Sequence, residues 1–212
     1  EEILEKLKDY FFVLDVNGIR ENNYETLYYD TSDFKFYNDH LRGKANRIKV
    51  RHRIYSDSGL QFFEIKKKNN KGRTIKERIK LSEIYYILKG RPDEYLYEKT
   101  QIKGEDLKPI LWGNYTRITL VNKTQPERLT IDINLHFKNN QKEYSIPDIV
   151  IAELKQDFNH RSIFKEIMMQ YRIKEVSISK YCFGVINLYN NIKCNGFKTK
   201  ILTLNKLIYA KN

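Results

Sequence analysis

The sequence is poor in the features that mark secreted, membrane-spanning or disordered chains. It has two cysteines in 212 residues, Cys182 and Cys194, too few for a disulfide framework and at a spacing that fits no metal motif. Both thiols therefore read as structural, in a reducing compartment, and the expected location is cytoplasmic. No apolar run approaches the length of a membrane span. The longest, Tyr181–Tyr189, is interrupted by Gly184 and Asn187, which argues against a span and leaves a membrane partner open. No secretory leader is visible, so the sequons at Asn114 and Asn122 carry no weight. Four prolines and nine glycines form no linker, and there is no internal repeat or low-complexity tract. His40, His52, His136 and His160 show no ligand spacing and read as structural or exposed. Negative charge is also short: 27 Asp and Glu stand against 39 Lys and Arg, a net charge of +12.

What is present is aromatic and basic. Sixteen tyrosines, eleven phenylalanines and a 41% hydrophobic fraction describe a folded chain with a proper core, long enough for one large domain. The excess of cations favours a polyanionic partner: nucleic acid, a membrane surface or a phosphate-rich small molecule.

The positive charge is patterned over Arg47–Lys80. Side chains alternate across a strand. RIKVRHRIY therefore puts Arg47, Lys49, Arg51 and Arg53 on one face. FFEIKKK puts Glu64, Lys66 and Lys68 together, and RTIKERIKL does the same for Lys76, Arg78 and Lys80. The breaks at Asp57–Gly59 and Asn69–Gly72 are short enough for hairpins. Like charges opposed across a ladder repel by about 3 kcal/mol at about 5 Å and a dielectric of about 20, and by under about 1 kcal/mol in water. Such a face is either open to water or normally filled by an anion.

Around this stretch, Glu2–Phe11 reads as the end of a surface helix, so further residues are expected upstream of Glu1. Tyr24–Asp30 reads as a strand, and Asp33–Arg42 as a short helix capped by Thr31 or Ser32. Asp30 is expected to organise the turn between them. Ser82 is placed at the cap of a helix ending at Gly90. Strands are expected over Asn114–Val121, with Arg117 on the face of Tyr115 and Thr119, and over Arg128–Asn134, with Arg128, Thr130 and Asp132 together. Ile149–Lys155 reads as a buried strand carrying Glu153 and Lys155. Helices follow from Ile163 and within Ser177–Asn190, and the 198–212 tail has no assigned structure. The fold class is α+β, a single domain on a large antiparallel sheet. If the sheet curls with its basic faces inward, it becomes a barrel with a cationic lumen and helices outside. Only a polyanionic ligand makes physical sense of that arrangement.

Short segments now stand in a definite order: YETLYYDT, FYNDHLRG, KVRHRIY, FFEIKKK, TIKERI, YTRITL, RLTIDINL, AELK and SISKY. Together they resemble the VTC domain, the polyphosphate polymerase domain of the triphosphate tunnel metalloenzyme (CYTH-like) superfamily, to about Phe183. The resemblance implies an antiparallel β-barrel, the triphosphate tunnel, flanked by helices. By position it implies that Arg51, Arg53, Lys66, Lys76, Arg117, Arg128 and Lys180 bind the phosphates, with Lys49, Lys68, Arg78, Lys155 and Ser179 as further lining. It implies that Glu153 holds Mn²⁺ or Mg²⁺, and that ATP and inorganic polyphosphate are the partners, with no nucleic acid. The family's first strand, which brings another basic residue into the tunnel, is not in this sequence, nor is the superfamily's ExExK signature. The activity implied is transfer of the ATP γ-phosphate to polyphosphate. A metal-dependent triphosphatase, or a non-catalytic module binding polyphosphate or inositol phosphates, are the alternatives.

Overall fold

The computed structural model describes residues 2–156 and 161–209, so His160 lies outside the described residues. Among them, nine antiparallel strands form one sheet. A short helix α1 (Glu2–Leu7) leads to β1 (Phe11–Val13) and β2 (Glu21–Asp30), and α2 (Lys35–Leu41) follows. The basic stretch forms the meander β3 (Arg47–Tyr55), β4 (Leu60–Lys68) and β5 (Thr74–Leu81). After α3 (Arg91–Thr100) come β6 (Lys108–Asn122), β7 (Glu127–Lys138), β8 (Glu143–Ile146) and β9 (Ile151–Gln156). The chain continues through α4 (Ile163–Gln170), α5 (Lys180–Leu188) and α6 (Lys198–Tyr209).

The strand order is β5-β4-β3-β2-β6-β7-β8, with β1 on β6 and β9 on β7. Strand β7 has three partners: β6 along one edge and, along the other, β9 at Glu127–Asp132 and β8 at Leu135–Lys138. The expected large antiparallel sheet is present; among the described residues no ladder joins β5 to β8 or β9, so its closure into a barrel is not shown. It is nevertheless curled: Lys66 on β4 feels the charges of Glu153 and Lys155 on β9, with four strands between them in the sheet order.

Alternation gives each strand two jobs. The outer face is apolar and covered by helices. Leu27, Tyr29, Val50, Phe63 and Ile65 pack with Leu96 of α3, while Leu120, Leu129 and Ile131 pack with Leu7 of α1 and Phe164 and Ile167 of α4. The inner face is apolar at one end only, where Tyr28, Leu111, Leu135 and Phe137 receive Tyr181, Val185 and Leu188 of α5. Helix α5 sits so close that a Cβ on Gly184 would lie 2.8 Å from Phe137 Cδ1, so glycine is required there. Asp30, fully buried, accepts bonds from the backbone N–H groups of Thr31, Phe36 and Tyr37 and from the Tyr181 hydroxyl, joining β2, α2 and α5.

Two expectations are corrected. Ser82–Gly90 forms no helix. Instead Ile84, Tyr85 and Leu88 lie against the outer core, and the Tyr85 carbonyl accepts from the Tyr29 hydroxyl. Strand β9 is an exposed edge rather than a buried strand, with Val150 beside it 59% exposed.

Candidate functional site

The ladder registers put the strand-borne candidates on one face. Arg51 opposes Glu64, which opposes Arg78; Lys49 opposes Lys66, which opposes Lys76; Arg47 opposes Lys68. Through β2, Tyr24 joins Tyr55 on β3 to Tyr115 on β6, so Arg117 shares this face. Arg117 opposes Asp132 on β7, Arg128 opposes Lys155, and Thr130 opposes Glu153. Ser179 and Lys180 approach the same face from the N-terminus of α5: Lys49 Nζ donates to Ser179 Oγ at 2.9 Å, and Lys180 pairs with Asp132.

Two buried carboxylates reconcile this density of positive charge with a stable sheet. Glu64, 1% exposed, takes Arg51 Nη2 at 2.6 Å on one oxygen and Lys76 Nζ at 2.6 Å on the other. Asp132, also 1% exposed, holds Arg117 through two bonds of 2.6 and 2.7 Å and takes Lys180 besides. Each node carries two cations per carboxylate, so it keeps net positive charge while its members hold one another in place.

Aromatic rings hold the arginines from the side. Tyr24 and Tyr115 stack at 5.2 Å, and the guanidinium of Arg117 lies 5.3 Å from each ring. Arg53 lies over the same two rings at 5.3 and 5.9 Å. It is 6% exposed and donates to Thr26 Oγ1 at 3.4 Å, with no carboxylate in salt-bridge contact among the described residues. Arg78 lies 4.3 Å from the Phe62 ring and is solvent-exposed. Such contacts are worth about 0.5–2 kcal/mol each and fix the plane of the guanidinium.

The remaining candidates project into open space. Lys66, Arg128, Lys155 and Glu153 are exposed and form no salt bridge among the described residues. Lys68 is partly exposed on the same face. Among the described residues, Glu153 is a carboxylate of this face neither held by two cations, as Glu64 and Asp132 are, nor bonded to α2 and α5, as Asp30 is. Asp132 was legible in the sequence as a face residue without a role. Its function depends on the β6–β7 register and on α5, which no local pattern reveals.

Charge and burial act together on the titrations. Burial alone would raise the Glu64 carboxyl, but Arg51, Arg53 and Lys76 together hold it down, from 4.5 to about 2. Burial also opposes charge on Arg51, and Glu64 raises its pKa regardless. Asp132 is likewise lowered, against burial, by Arg117 and Lys180. Burial, with Lys66, Arg51 and Arg47 nearby, pushes Lys49 down to about 8. A depressed carboxyl stabilises the fold above its unfolded value and loses that contribution as pH falls through its folded value. Glu64 therefore contributes about 3 kcal/mol above pH about 4.5, lost progressively towards pH about 2. Chemical denaturation at stepped pH should show stability falling through that window, with the Glu64→Gln variant lacking much of the slope.

Among the described residues no group of three or more His, Cys, Asp or Glu could hold a metal ion. A single free carboxylate, Glu153, does suit a divalent ion that arrives already coordinated by phosphate oxygens and water, as Mg²⁺ commonly does. No described helix is long and apolar enough to cross a membrane.

A family profile for the VTC domain matches residues 1–189. Among solved structures, an assigned adenylate cyclase from Bacillus halodurans aligns with TM-score 0.51 and 15% identity, covering 84% of this chain and 88% of that one. A protein from Hippeastrum, assigned as an adenylyl cyclase and found to have a dominant triphosphatase activity, aligns with TM-score 0.56 and 10% identity, covering 90% and 91%. At these identities the likeness shows a common fold and nothing finer. Comparison with curated proteins finds no match.

Proposed function

Because the chain belongs to the VTC domain family, with the fold of the CYTH-like triphosphate tunnel proteins that include triphosphatases and polyphosphate polymerases, we propose that it transfers the γ-phosphate of ATP to inorganic polyphosphate. One observation carries the choice of acceptor. Water needs a base to activate it, whereas an ionised phosphate oxygen does not. Of the inner-face carboxylates, Glu64 and Asp132 are each held by two cations, Asp30 is occupied by three backbone N–H groups and the Tyr181 hydroxyl, and Glu153 is assigned to the metal, which favours an acceptor that needs no base.

The chemistry needs positioning and charge neutralisation rather than a covalent nucleophile. An oxygen of the terminal phosphate of the chain attacks the γ-phosphorus, the bond from that phosphorus to the β-bridging oxygen breaks, and ADP leaves with the electron pair. Arg53 and Arg117, held flat by Tyr24 and Tyr115, present guanidinium edges to the equatorial oxygens. Arg51 and Lys76, fixed by Glu64, and Lys180, fixed by Asp132, supply charge from opposite walls. Lys66, with no salt bridge among the described residues, is available to meet a phosphate directly. Glu153 would hold Mn²⁺ or Mg²⁺ on the side of the open strand β9; bound there, the ion would offset negative charge on the β- and γ-phosphates. The exposed rim cations Arg128, Lys155, Arg78 and Lys68 draw the polyanion in.

Incubation with ATP and Mn²⁺, with products resolved on a gel stained for polyphosphate and free phosphate followed in parallel, tests the reading. A ladder of long chains is expected. Free phosphate without chains would replace it with a triphosphatase, and neither product would leave a phosphate-binding module. In the same assay Glu153→Gln should keep triphosphate affinity within about twofold and lose metal-dependent turnover; full activity would remove Glu153 from the metal role.

A further inference from the structure

The inner face changes character at one mouth. Past Arg117 the register carries it through two further cross-strand rows: Thr119, Thr130 and Glu153, then Phe12, Val121, Arg128 and Lys155. The last row is half apolar and half cationic. All four of its members are exposed, Phe12 at 63% and Val121 at 38%. The pairing of β1 runs on past its ends, since the Lys123 N–H donates to the Tyr10 carbonyl and the Leu14 N–H to that of Thr119. Alternation then puts Tyr10 and Leu14, both exposed, on the face of Phe12. One exposed apolar residue means little, but a contiguous patch beside two exposed cations marks a binding surface.

The Phe12 ring is also held in place. Lys123 Nζ lies 5.0 Å from its centroid and is itself pinned by donating to the Lys8 carbonyl at 2.8 Å. The ring thus has a fixed neighbour on one side and water around the rest. Other rings of the inner face are taken: Tyr24 and Tyr115 by Arg53 and Arg117, Phe62 by Arg78. Next to Phe12, an open cleft of about 340 Å³ is lined by Val121, Arg128 and Lys155, with Gln125 and Pro126 of the β6–β7 turn. From Arg117 to Val121 the strand advances about 13 Å, the reach of an extended nucleoside triphosphate from γ-phosphate to base.

We propose that Phe12 and Val121, with Arg128 and Lys155 beside them, form the subsite for the base and ribose of the nucleotide donor. The subsite rests on the nucleotide-dependent reading above and orients the donor, triphosphate inward at Arg53 and Arg117, base outward at the β1 mouth. Phe12 takes the base by its flat face, and stacking of this kind is tolerant of base identity. Adenine and guanine nucleotides are therefore held alike, while inorganic tripolyphosphate, which has no base, gains nothing from Phe12.

The test is calorimetric binding of ATP, GTP and tripolyphosphate to the wild-type chain, to Phe12→Ala and to Phe12→Trp, with thermal melting to check the fold. In Phe12→Ala, ATP and GTP affinity should fall about five- to twentyfold, the effect of one base–aromatic stack, with tripolyphosphate unchanged within twofold. Phe12→Trp should keep nucleotide affinity, and its added fluorescence should be quenched by ATP and not by tripolyphosphate. Unchanged ATP affinity in Phe12→Ala, or equal losses for ATP and tripolyphosphate, would overturn the subsite. So would a variant altered only in self-association, which would give the patch to a contact between copies of the chain. A nucleotide-selective loss in a protein that makes no polymer would support the subsite and remove the polymerase. Binding of neither ATP nor tripolyphosphate by the wild type would overturn both.

Discussion

Glu64→Gln should lower stability by about 3–5 kcal/mol, and polyphosphate should return much of the loss. The substitution keeps the shape and removes one charge that compensates two cations, Arg51 and Lys76. Breaking a buried ion pair on one side costs about that much because the surviving charges remain desolvated. For a domain of this size the thermal midpoint should drop by roughly 6–20 °C. A polyanion in the cleft restores negative charge beside Arg51 and Lys76, so the variant should gain more from polyphosphate than the wild type does. Melting curves with and without long-chain polyphosphate decide it. A midpoint within about 2 °C of wild type would show that the cations are solvated well enough to need no buried counter-charge. Equal ligand-induced gains in both proteins would show that the anion binds elsewhere.

Lys66→Ala should do the opposite: little change in stability and a loss of triphosphate affinity of about 10- to 150-fold, the worth of one charge-assisted hydrogen bond. Lys66 is exposed on the concave face with no salt bridge, and the sum of its surroundings already depresses its pKa, through burial and through Arg51, Lys155 and Arg47. Removing it relieves repulsion in the empty protein and leaves the phosphate one ligand short. Arg51→Ala should behave differently, losing affinity and stability together, because the same side chain neutralises Glu64. Paired calorimetry and melting on both variants separate the roles. Unchanged affinity in Lys66→Ala would take that lysine out of the site, and unchanged stability in Arg51→Ala would show Lys76 to be sufficient for Glu64.

The sheet and the basic face were legible in the sequence for a specific reason. Strands β3, β4 and β5 form a meander with short turns, so a two-residue alternation within each strand, carried round two hairpins, is enough to place Lys49, Arg51, Lys66, Lys76 and Arg78 on one side. Arg117 and Arg128 followed from the same alternation in β6 and β7. What local pattern could not supply was the partner of each charge. Asp132 meets Lys180 across 48 residues, and that contact exists only because α5 docks on the inner face. The Ser82–Gly90 helix failed because tertiary contact outweighed its cap: the Tyr85 carbonyl bonds the Tyr29 hydroxyl and the segment lies flat on the outer core. Strand β9 was read as buried from its apolar residues, but a strand at the edge of a sheet can leave such residues exposed.

The bond between Asp30 and Tyr181 also bears on how the molecule comes into being. It joins residues 151 apart, and the contacts Lys49–Ser179 and Tyr37–Lys193 beside it span 130 and 156. The meander can assemble from neighbours in the chain, but contacts of such long range form slowly, because most of the polypeptide must be in place before they bring any gain. The inner face is thus finished by residues synthesised well after the meander. Until α5 arrives, Asp30 has no Tyr181 hydroxyl, Asp132 no Lys180, and the cationic strands lie open to any cellular polyanion.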